Sequence, residues 1–252
     1  MVQPERSPEA RGSNCHPHSR RFCGRRAITH FPSVIAHRGV WGAGVPENSL
    51  AAFEQAIELG ADGIEFDVRR TRDRELIIFH DAEITGTPVA NLTRAEIEDR
   101  AGALPTVLEE ALALARGRIW LDVELKKGGY VDELAGLLSG FAASGGDLIV
   151  TSFVDRMLAQ LTELTPQLTR GLVLGRSAKR AVERANTCGA TLVLPKMQLV
   201  DEALLAEFSD AGLTVIVWDF MATEHAALLS DTRISGVITD DVPGALAART
   251  SI

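Results

Sequence analysis

Short runs of apolar residues alternate with stretches of helical periodicity from Val34 onward. Runs of four to eight residues rich in Val, Ile and Leu are typical of strands, and apolar residues spaced three or four apart are typical of helices. The predicted strands are Val34–His37, Gly63–Val68, Leu76–His80, Ile119–Leu125, Leu148–Ser152, Leu172–Leu174, Thr191–Leu194, Thr214–Trp218 and Gly236–Thr239. The predicted helices are Leu50–Leu59, Val107–Arg116, Val131–Phe141, Arg156–Leu164, Ala178–Asn186 and Glu202–Asp210. Thr93 with Glu96 and Thr106 with Glu109 have capping-box spacing, and Gly60 and Gly212 stand where helices end. Strands that alternate with helices predict a parallel sheet.

One connection is too short for a parallel crossover. Only Arg69–Glu75 separates the second and third strands, which predicts an antiparallel hairpin that turns near Asp73 and Arg74 and sets His80 opposite Asp67. The other strands then number eight, at about 27 residues per repeat, which favours an α/β fold of the (β/α)8 TIM-barrel class with an extra hairpin strand after strand 2. An open doubly wound sheet is the alternative, but no glycine-rich G-x-G-x-x-G loop follows a strand.

Charge divides the chain into two parts. The 252 residues carry a net charge of −8, but residues 1–32 hold six arginines and two glutamates, so residues 33–252 carry −12. Low apolar periodicity in residues 1–32 predicts a flexible Arg-rich N-terminal tail, with the barrel formed by residues 33–252. Cys15, His16, His18 and Cys23 fit no standard zinc spacing, so a metal knuckle is the weaker interpretation.

Composition limits which binding partners and which cellular compartment we expect for the protein. Three cysteines provide no disulfide framework, which makes a cytoplasmic protein the default expectation. The acidic barrel argues against nucleic acid as a partner. No apolar stretch reaches the length of a transmembrane helix. The sequence leaves the oligomeric state open.

Carboxylates alternate with apolar residues on two predicted strands. In Gly63–Val68 the pattern directs Glu65 and Asp67 into the barrel, and in Ile119–Leu125 it directs Trp120, Asp122 and Glu124 inward, with Lys126 following on the same face. Buried carboxylates cost several kcal/mol each unless they are paired. A hard divalent cation such as Mg²⁺ or Ca²⁺ would remove that cost, and internal salt bridges to Lys126 and Arg38 are the alternative.

Two histidines end predicted strands on the face where TIM barrels carry their active sites. His37 ends the first strand and His80 ends the hairpin strand. Because imidazole titrates near neutral pH, a pair of histidines beside carboxylates suggests a general acid and a general base. Arg38 and Lys126 add positive charge suited to a phosphate group.

The ordered motifs resemble the glycerophosphodiester phosphodiesterase family, which is a family of phospholipase C-like phosphodiesterase TIM barrels. The motifs are Ala36–Gly39 (A-H-R-G), Pro46–Ser49 (P-E-N-S), Gly63–Val68 (G-I-E-F-D-V), His80–Asp81, Leu104–Thr106, Val123–Lys126 (V-E-L-K), Thr151–Phe153, Trp218 and Gly236–Asp240 (G-V-I-T-D). They extend over essentially residues 33–245.

The resemblance implies a function and a set of site residues. It implies metal-dependent hydrolysis of a small phosphodiester, a glycerophosphodiester, to glycerol 3-phosphate and an alcohol. It implies Glu65, Asp67 and Glu124 as ligands of a divalent cation, Mg²⁺ or Ca²⁺. It also implies His37 and His80 as the acid–base pair, with Arg38, Lys126 and Trp218 binding substrate. Glu47 is expected to support the rim, and Asp122 is expected to lie beside the ligands without being one.

The chain departs from the family pattern at several positions. Ala82–Ala103 is short for the segment that caps the substrate, so the identity of the alcohol is open. Ser49 replaces the usual Thr, Arg74 replaces the usual turn Gly and is compatible with a type I turn, and Asp219 and Phe220 follow Trp218.

Two other functions fit parts of the pattern. A lysophospholipase D or sphingomyelinase D-like enzyme would act on a lipid and would need an apolar rim, which Val40, Trp41 and Val45 could supply. A non-catalytic phosphate-binding barrel would have lost an acid–base or metal residue, and all of those residues are present.

Overall fold

The computed structural model describes residues 33–251, and the predictions made for residues 1–32 lie outside the described residues. Eight parallel strands close into a barrel, because β1 pairs with both β2 and β11. The strands are β1 (Ser33–His37), β2 (Gly63–Arg70), β3 (Leu76–Ile78), β4 (Glu83–Ile84), β5 (Thr87–Pro88), β6 (Trp120–Leu125), β7 (Leu148–Ser152), β8 (Thr169–Leu174), β9 (Leu192–Pro195), β10 (Thr214–Val217) and β11 (Ile234–Thr239). Strand β3 extends the sheet beside β2, and β4 and β5 form a separate hairpin. The TIM-barrel prediction is confirmed.

Helices follow the barrel strands in the order that a βα repeat requires. They are α1 (Leu50–Leu59), α2 (Arg94–Ala101), α3 (Leu108–Ala115), α4 (Val131–Ala143), α5 (Asp155–Leu164), α6 (Ala181–Cys188), α7 (Glu202–Asp210), α8 (Ala222–His225) and α9 (Val242–Thr250). The capping box of Thr93 and Glu96 is present at the start of α2. The box predicted for Thr106 and Glu109 is wrong by one residue, because α3 starts at Leu108 and Glu110 accepts from the Val107 N–H at 3.1 Å.

The predicted hairpin forms, but its register differs by one residue. Val68 lies opposite Ile78, and the N–H of Phe79 rather than His80 donates to the Asp67 carbonyl, at 2.9 Å. The turn runs from Thr71 to Glu75 and is centred on Asp73, half a residue before the predicted centre between Asp73 and Arg74. Arg74 has φ +71°, in the left-handed region that favours glycine, which costs about 1–2 kcal/mol.

The strands separate two apolar layers, as their alternation predicts. Ile64, Phe66 and Val68 on β2 face outward and join the large core under the helices. The inner apolar cluster fills the barrel itself and consists of Ile35, Trp120, Ile149, Val173, Leu192, Leu194, Ile216 and Ile238. Trp120 fits there because Gly63 beside it has no Cβ; a Cβ would lie 2.5 Å from the indole ring. The barrel is therefore packed at its centre, and its chemistry lies nearer the carboxyl ends of the strands.

The short segment after His80 folds onto β3. It contains the β4–β5 hairpin and α2, and Val89, Leu92 and Ile97 bury apolar side chains against Ile77. Among the described residues, no helix is both long enough and apolar enough to cross a membrane.

Candidate active site

Three carboxylates meet inside the barrel near the carboxyl ends of β2 and β6. The parallel register sets Glu65 opposite Asp122 and Asp67 opposite Glu124. Glu65, Asp67 and Glu124 are buried, and one oxygen of each lies within 4.8 Å of the others. We call these three residues the carboxylate cluster. The strand alternation seen in the sequence therefore brings together the three predicted ligands.

Burial and mutual repulsion disfavour charge on part of this cluster. Burial, together with the neighbouring Asp67 and Glu124, raises the pKa of Glu65 well above its ordinary value. Glu65 Oε1 has no hydrogen-bond partner among the described residues. Burial also raises the pKa of Asp122 to about 8, although the Thr151 hydroxyl donates to its Oδ1 at 2.6 Å and opposes that shift. Negative charge is crowded here beyond what the protein itself neutralises.

Two basic side chains contact the cluster from the rim. Lys126 Nζ lies 2.7 Å from Asp67 Oδ1 and 2.6 Å from Glu124 Oε1, and Arg38 Nε lies 3.3 Å from Asp67 Oδ2. Burial would raise the pKa of Asp67, but Lys126 and then Arg38 hold it below its ordinary value. The ion pairs that the salt-bridge alternative predicts are thus present at Asp67 and Glu124. They do not extend to Glu65.

The donor set fits a divalent cation. Three buried carboxylates converge, and one of them retains an oxygen without a partner. Carboxylate oxygens are the ligands that Mg²⁺ and Ca²⁺ prefer. Such a cation would offset the burial and the repulsion that together raise the pKa of Glu65. Asp122 is engaged by Thr151, in agreement with its expected place beside the ligands.

Neighbouring groups position Arg38 and Asp67. The Arg38 side chain donates to Glu47 at 2.9 and 3.0 Å, so the rim support expected of Glu47 is present. Asn48 donates to Asp67 Oδ2 at 3.0 Å and is buried. Arg38 and Asn48 both have positive φ, of 59° and 56°. Asn48 stands in the P-E-N-S motif, and its contact was missed because the sequence alone does not show what a loop amide touches.

Both histidines bind a carboxylate through the same ring nitrogen. His37 Nδ1 lies 2.7 Å from Asp240 Oδ1, and His80 Nδ1 lies 2.9 Å from Asp81 Oδ1. When Nδ1 carries the proton donated to the carboxylate, Nε2 is left to exchange a proton with substrate. The hydrogen bond from His37 lowers the pKa of Asp240. Asp240 follows β11 and ends the G-V-I-T-D motif, but no role was predicted for it from the sequence.

Trp218 lies in a row of side chains that leads from the carboxylate cluster. Phe153 packs edge-on against Trp218 with ring centroids 5.9 Å apart, and Lys126 Nζ lies 5.7 Å from the Phe153 centroid. Trp218 Nε1 donates to the Leu174 carbonyl at 3.2 Å, which fixes the indole. Lys196 Nζ lies over the Trp218 ring, 5.1 Å from its centroid. The indole therefore forms a fixed wall on the β10 side of the barrel.

The combined geometry suits chemistry on a phosphate ester. Two cationic side chains contact a candidate cation site, and two imidazoles, each oriented by a carboxylate, end β1 or follow β3 and are chemically able to transfer protons. The charge that develops on phosphoryl oxygens would be stabilised there.

Comparison with known proteins agrees with this chemistry. The model of the glycerophosphoryl diester phosphodiesterase family matches residues 37–119 and 117–243. The Bacillus subtilis protein YhdW is 30% identical over 230 residues, which cover 82% of this chain and 93% of YhdW. A glycerophosphodiester phosphodiesterase of Caldanaerobacter subterraneus is 28% identical, with coverage of 82% and 93%.

Solved structures show the same architecture. The crystal structure of a glycerophosphodiester phosphodiesterase from Agrobacterium tumefaciens superposes with a TM-score of 0.72 at 25% identity, over 86% of this chain and 99% of that chain. An Oleispira antarctica phosphodiesterase superposes with a TM-score of 0.76 at 22% identity, over 86% and 96%. With a family model that covers most of its length, this chain belongs to the glycerophosphoryl diester phosphodiesterase family.

Proposed function

We propose that the protein is a phosphoric diester hydrolase that cleaves glycerophosphodiesters to glycerol 3-phosphate and an alcohol. The observation that carries this proposal is the carboxylate cluster with its unpartnered Glu65 oxygen, flanked by Arg38 and Lys126 and by two carboxylate-bound histidines. Family membership and the name of the Caldanaerobacter relative support the same substrate class.

Arg38 and Lys126 are the proposed phosphate-binding residues. Both already contact carboxylates, so an arriving phosphate would share their positive charge with Asp67 and Glu124. Arg38 is held by Glu47, which orders its guanidinium before substrate binds. Trp218 is proposed to bind substrate by forming one wall of the pocket, against the part of the substrate that points toward β10.

His37 and His80 are the proposed acid–base pair. His37 Nε2 accepts the proton of the attacking hydroxyl, which belongs either to water or to the glycerol 2-position of the substrate. The oxygen then bonds to phosphorus as the ester bond to the alcohol breaks, and His80 Nε2 gives the alcohol oxygen its proton. Attack by the glycerol hydroxyl would leave a cyclic phosphate, which water opens in a second cycle. Each proton transfer is worth about 10²–10⁴-fold.

Glu65, Asp67 and Glu124 are the proposed ligands of Mg²⁺ or Ca²⁺. Bound there, the cation would act as a Lewis acid that stabilises negative charge on the phosphoryl oxygens. An all-carboxylate set suits either hard cation. We also propose that residues 33–252 suffice for activity, which a variant that begins at residue 33 would test.

A lipid substrate is the second candidate and is less well supported. Of the three residues suggested for an apolar rim, Val40 packs against the outer core and Val45 is half-buried, so Trp41 alone is exposed, at 44%. Trp41 also donates to the His37 carbonyl at 3.2 Å, which gives it a structural contact. One exposed aromatic residue is ordinary at a protein surface.

A substrate panel tests the proposal. Bound metal is first removed from the protein with a chelator. The protein is then assayed with Mg²⁺, Ca²⁺ or Mn²⁺ on glycerophosphocholine, lysophosphatidylcholine and bis(p-nitrophenyl) phosphate. We expect release of glycerol 3-phosphate from glycerophosphocholine with at least one cation. Preference for lysophosphatidylcholine would favour the lipid enzyme. An absence of turnover on all three substrates would favour a non-catalytic binding barrel.

A further inference from the structure

The backbone of His80 is held by a side chain from the neighbouring strand. Strand β3 ends at Ile78, so His80 lies two residues beyond its last residue. Arg69 Nε and Nη2 both donate to the His80 carbonyl oxygen, at 3.0 and 2.6 Å. Two donors from one planar guanidinium restrict both the position and the direction of that carbonyl.

Arg69 occupies a place on β2 from which it can reach this loop. It follows Asp67 by two residues and so lies on the same face of the strand, one step closer to the rim. The pairing of β2 with β6 ends at Val68, so Arg69 stands where the strand leaves the barrel wall. The next residue, Arg70, forms an ion pair with Glu133 at 2.8 Å, whereas the ion pairs of residues 33–251 do not include Arg69.

The two histidines are anchored in different ways. His37 belongs to β1, which is paired on both sides, with β2 and with β11, so its backbone is fixed by the barrel. His80 lies in a loop, and the carboxylate that its ring binds, Asp81, is 70% exposed at the side chain. Arg69 therefore supplies the restraint on His80 that the barrel itself supplies to His37.

We propose that Arg69 is a positioning residue for His80, which holds the imidazole where it meets the leaving-group oxygen. The inference rests on the proposed function, because it requires His80 to transfer a proton. Displacement of a reacting group by about 1 Å can cost about 100-fold in rate, so a side chain that touches no substrate can still control turnover.

A double-mutant cycle tests this role. The variants are Arg69→Met, His80→Ala and the combination, with Arg70→Met as the matched control from the same strand. They are assayed on glycerophosphocholine, whose leaving alcohol needs a proton, and on the glycerophosphodiester of p-nitrophenol, whose leaving group departs without one. On glycerophosphocholine we expect Arg69→Met to lower kcat by about 10- to 100-fold and to change KM by less than about twofold. On the p-nitrophenol ester, which does not use the His80 proton, we expect kcat to change by less than about twofold.

The combined variant separates positioning from a general structural effect. If Arg69 acts through His80, Arg69→Met lowers the kcat of His80→Ala by less than about twofold, because interacting residues are not additive. On glycerophosphocholine, losses that multiply in the combined variant would overturn the inference, as would an Arg69→Met kcat equal to that of wild type. An equal loss on both substrates would also overturn it. Arg70→Met should match wild type.

A conservative variant covers the case in which Arg69→Met does not fold. Arg69→Lys keeps the charge and one donor, and we expect a kcat between those of wild type and Arg69→Met; the cycle can be run with it instead. If the wild-type protein hydrolyses no glycerophosphodiester with any cation, the proposed function fails. If wild type is active and the losses multiply, only the role of Arg69 fails.

Discussion

The barrel interior contains two regions built from the same strands. On β6, three consecutive inward positions hold Trp120, Asp122 and Glu124: the first belongs to the inner apolar cluster and the last to the carboxylate cluster. Both regions are buried, so burial does not distinguish them. Position along the strand does, since the apolar residue lies toward the amino end and the carboxylates toward the carboxyl end.

The two regions make opposite contributions to stability. Burying apolar side chains stabilises the fold by roughly 25 cal/mol per Å² removed from water. The buried carboxylates Glu65 and Asp122 oppose folding when they are charged, as their raised pKa values show. The same alternation pattern thus produces a region that holds the barrel together and a region whose residues are present for chemistry.

Removal of either histidine should break activity and leave the fold intact. We expect His37→Ala and His80→Ala each to lower kcat by about 10²–10⁴-fold, because each removes one proton transfer. Both side chains are partly exposed, at 28% and 38%, so the free energy of unfolding should change by less than about 0.5 kcal/mol. Steady-state kinetics check the expected loss of kcat, and urea denaturation checks the expected free energy of unfolding. Near-full activity in either variant would remove that residue from the pair.

Truncation within the inner apolar cluster should have the reverse effect. Leu192 is 2% exposed on β9, and Leu192→Ala should lower the free energy of unfolding by about 2–5 kcal/mol through the cavity that it leaves. Activity per folded molecule should stay within a few-fold of wild type, since Leu192 belongs to the inner apolar cluster and not to the carboxylate cluster. A loss of kcat as large as that of the histidine variants would contradict the separation, because it would show that the inner apolar cluster is also needed for activity.

A neutral substitution in the carboxylate cluster should weaken cation binding without weakening the fold. Glu65→Gln keeps the shape of the side chain and removes one buried charge. Without metal, the variant should therefore be as stable as wild type or more stable. Its affinity for Mg²⁺ or Ca²⁺ should fall by more than about tenfold, or 1.4 kcal/mol, in a calorimetric titration. Glu58→Gln, an exposed carboxylate on α1, is the control and should bind as wild type does. Equal affinity in Glu65→Gln would exclude Glu65 from the ligands.

An ion pair on the outside of the barrel should have the smallest effect. Arg184 donates to Asp155 at 2.7 and 2.9 Å and holds the pKa of Asp155 below its ordinary value. A lowered pKa in the folded state means that the pair stabilises above about pH 4 and that this contribution is lost as pH falls through the folded pKa. Asp155→Asn should therefore cost up to about 1 kcal/mol at neutral pH and nothing in strong acid. A difference that is the same at both pH values would contradict the assignment.

The regular parts of this molecule were predictable because one physical pattern determines each of them. Alternation correctly directed Glu65, Asp67, Asp122 and Glu124 inward, and the short link after β2 correctly predicted the hairpin. The bounds of α1 and α7 agree with the prediction at both ends. These features depend on the period of apolar residues and on chain length, which the sequence shows directly.

Contacts made by loops were not predictable in the same way. The position of His80 was wrong by one residue, because the number of residues in a turn depends on its backbone conformation and Arg74 adopts one that favours glycine. Asp240 and Asn48 were not assigned contacts, since their partners lie 203 and 19 residues away along the chain. Such contacts depend on closure of the whole barrel.

The central claim is that the carboxylate cluster holds a divalent cation that the hydrolysis requires. The most direct test measures release of glycerol 3-phosphate from a glycerophosphodiester by the chelated protein as Mg²⁺ or Ca²⁺ is added back. We predict no release in chelator, saturable recovery with the cation, and a midpoint shifted to higher concentration by Glu65→Gln. An equal rate in chelator and in saturating cation would contradict the claim.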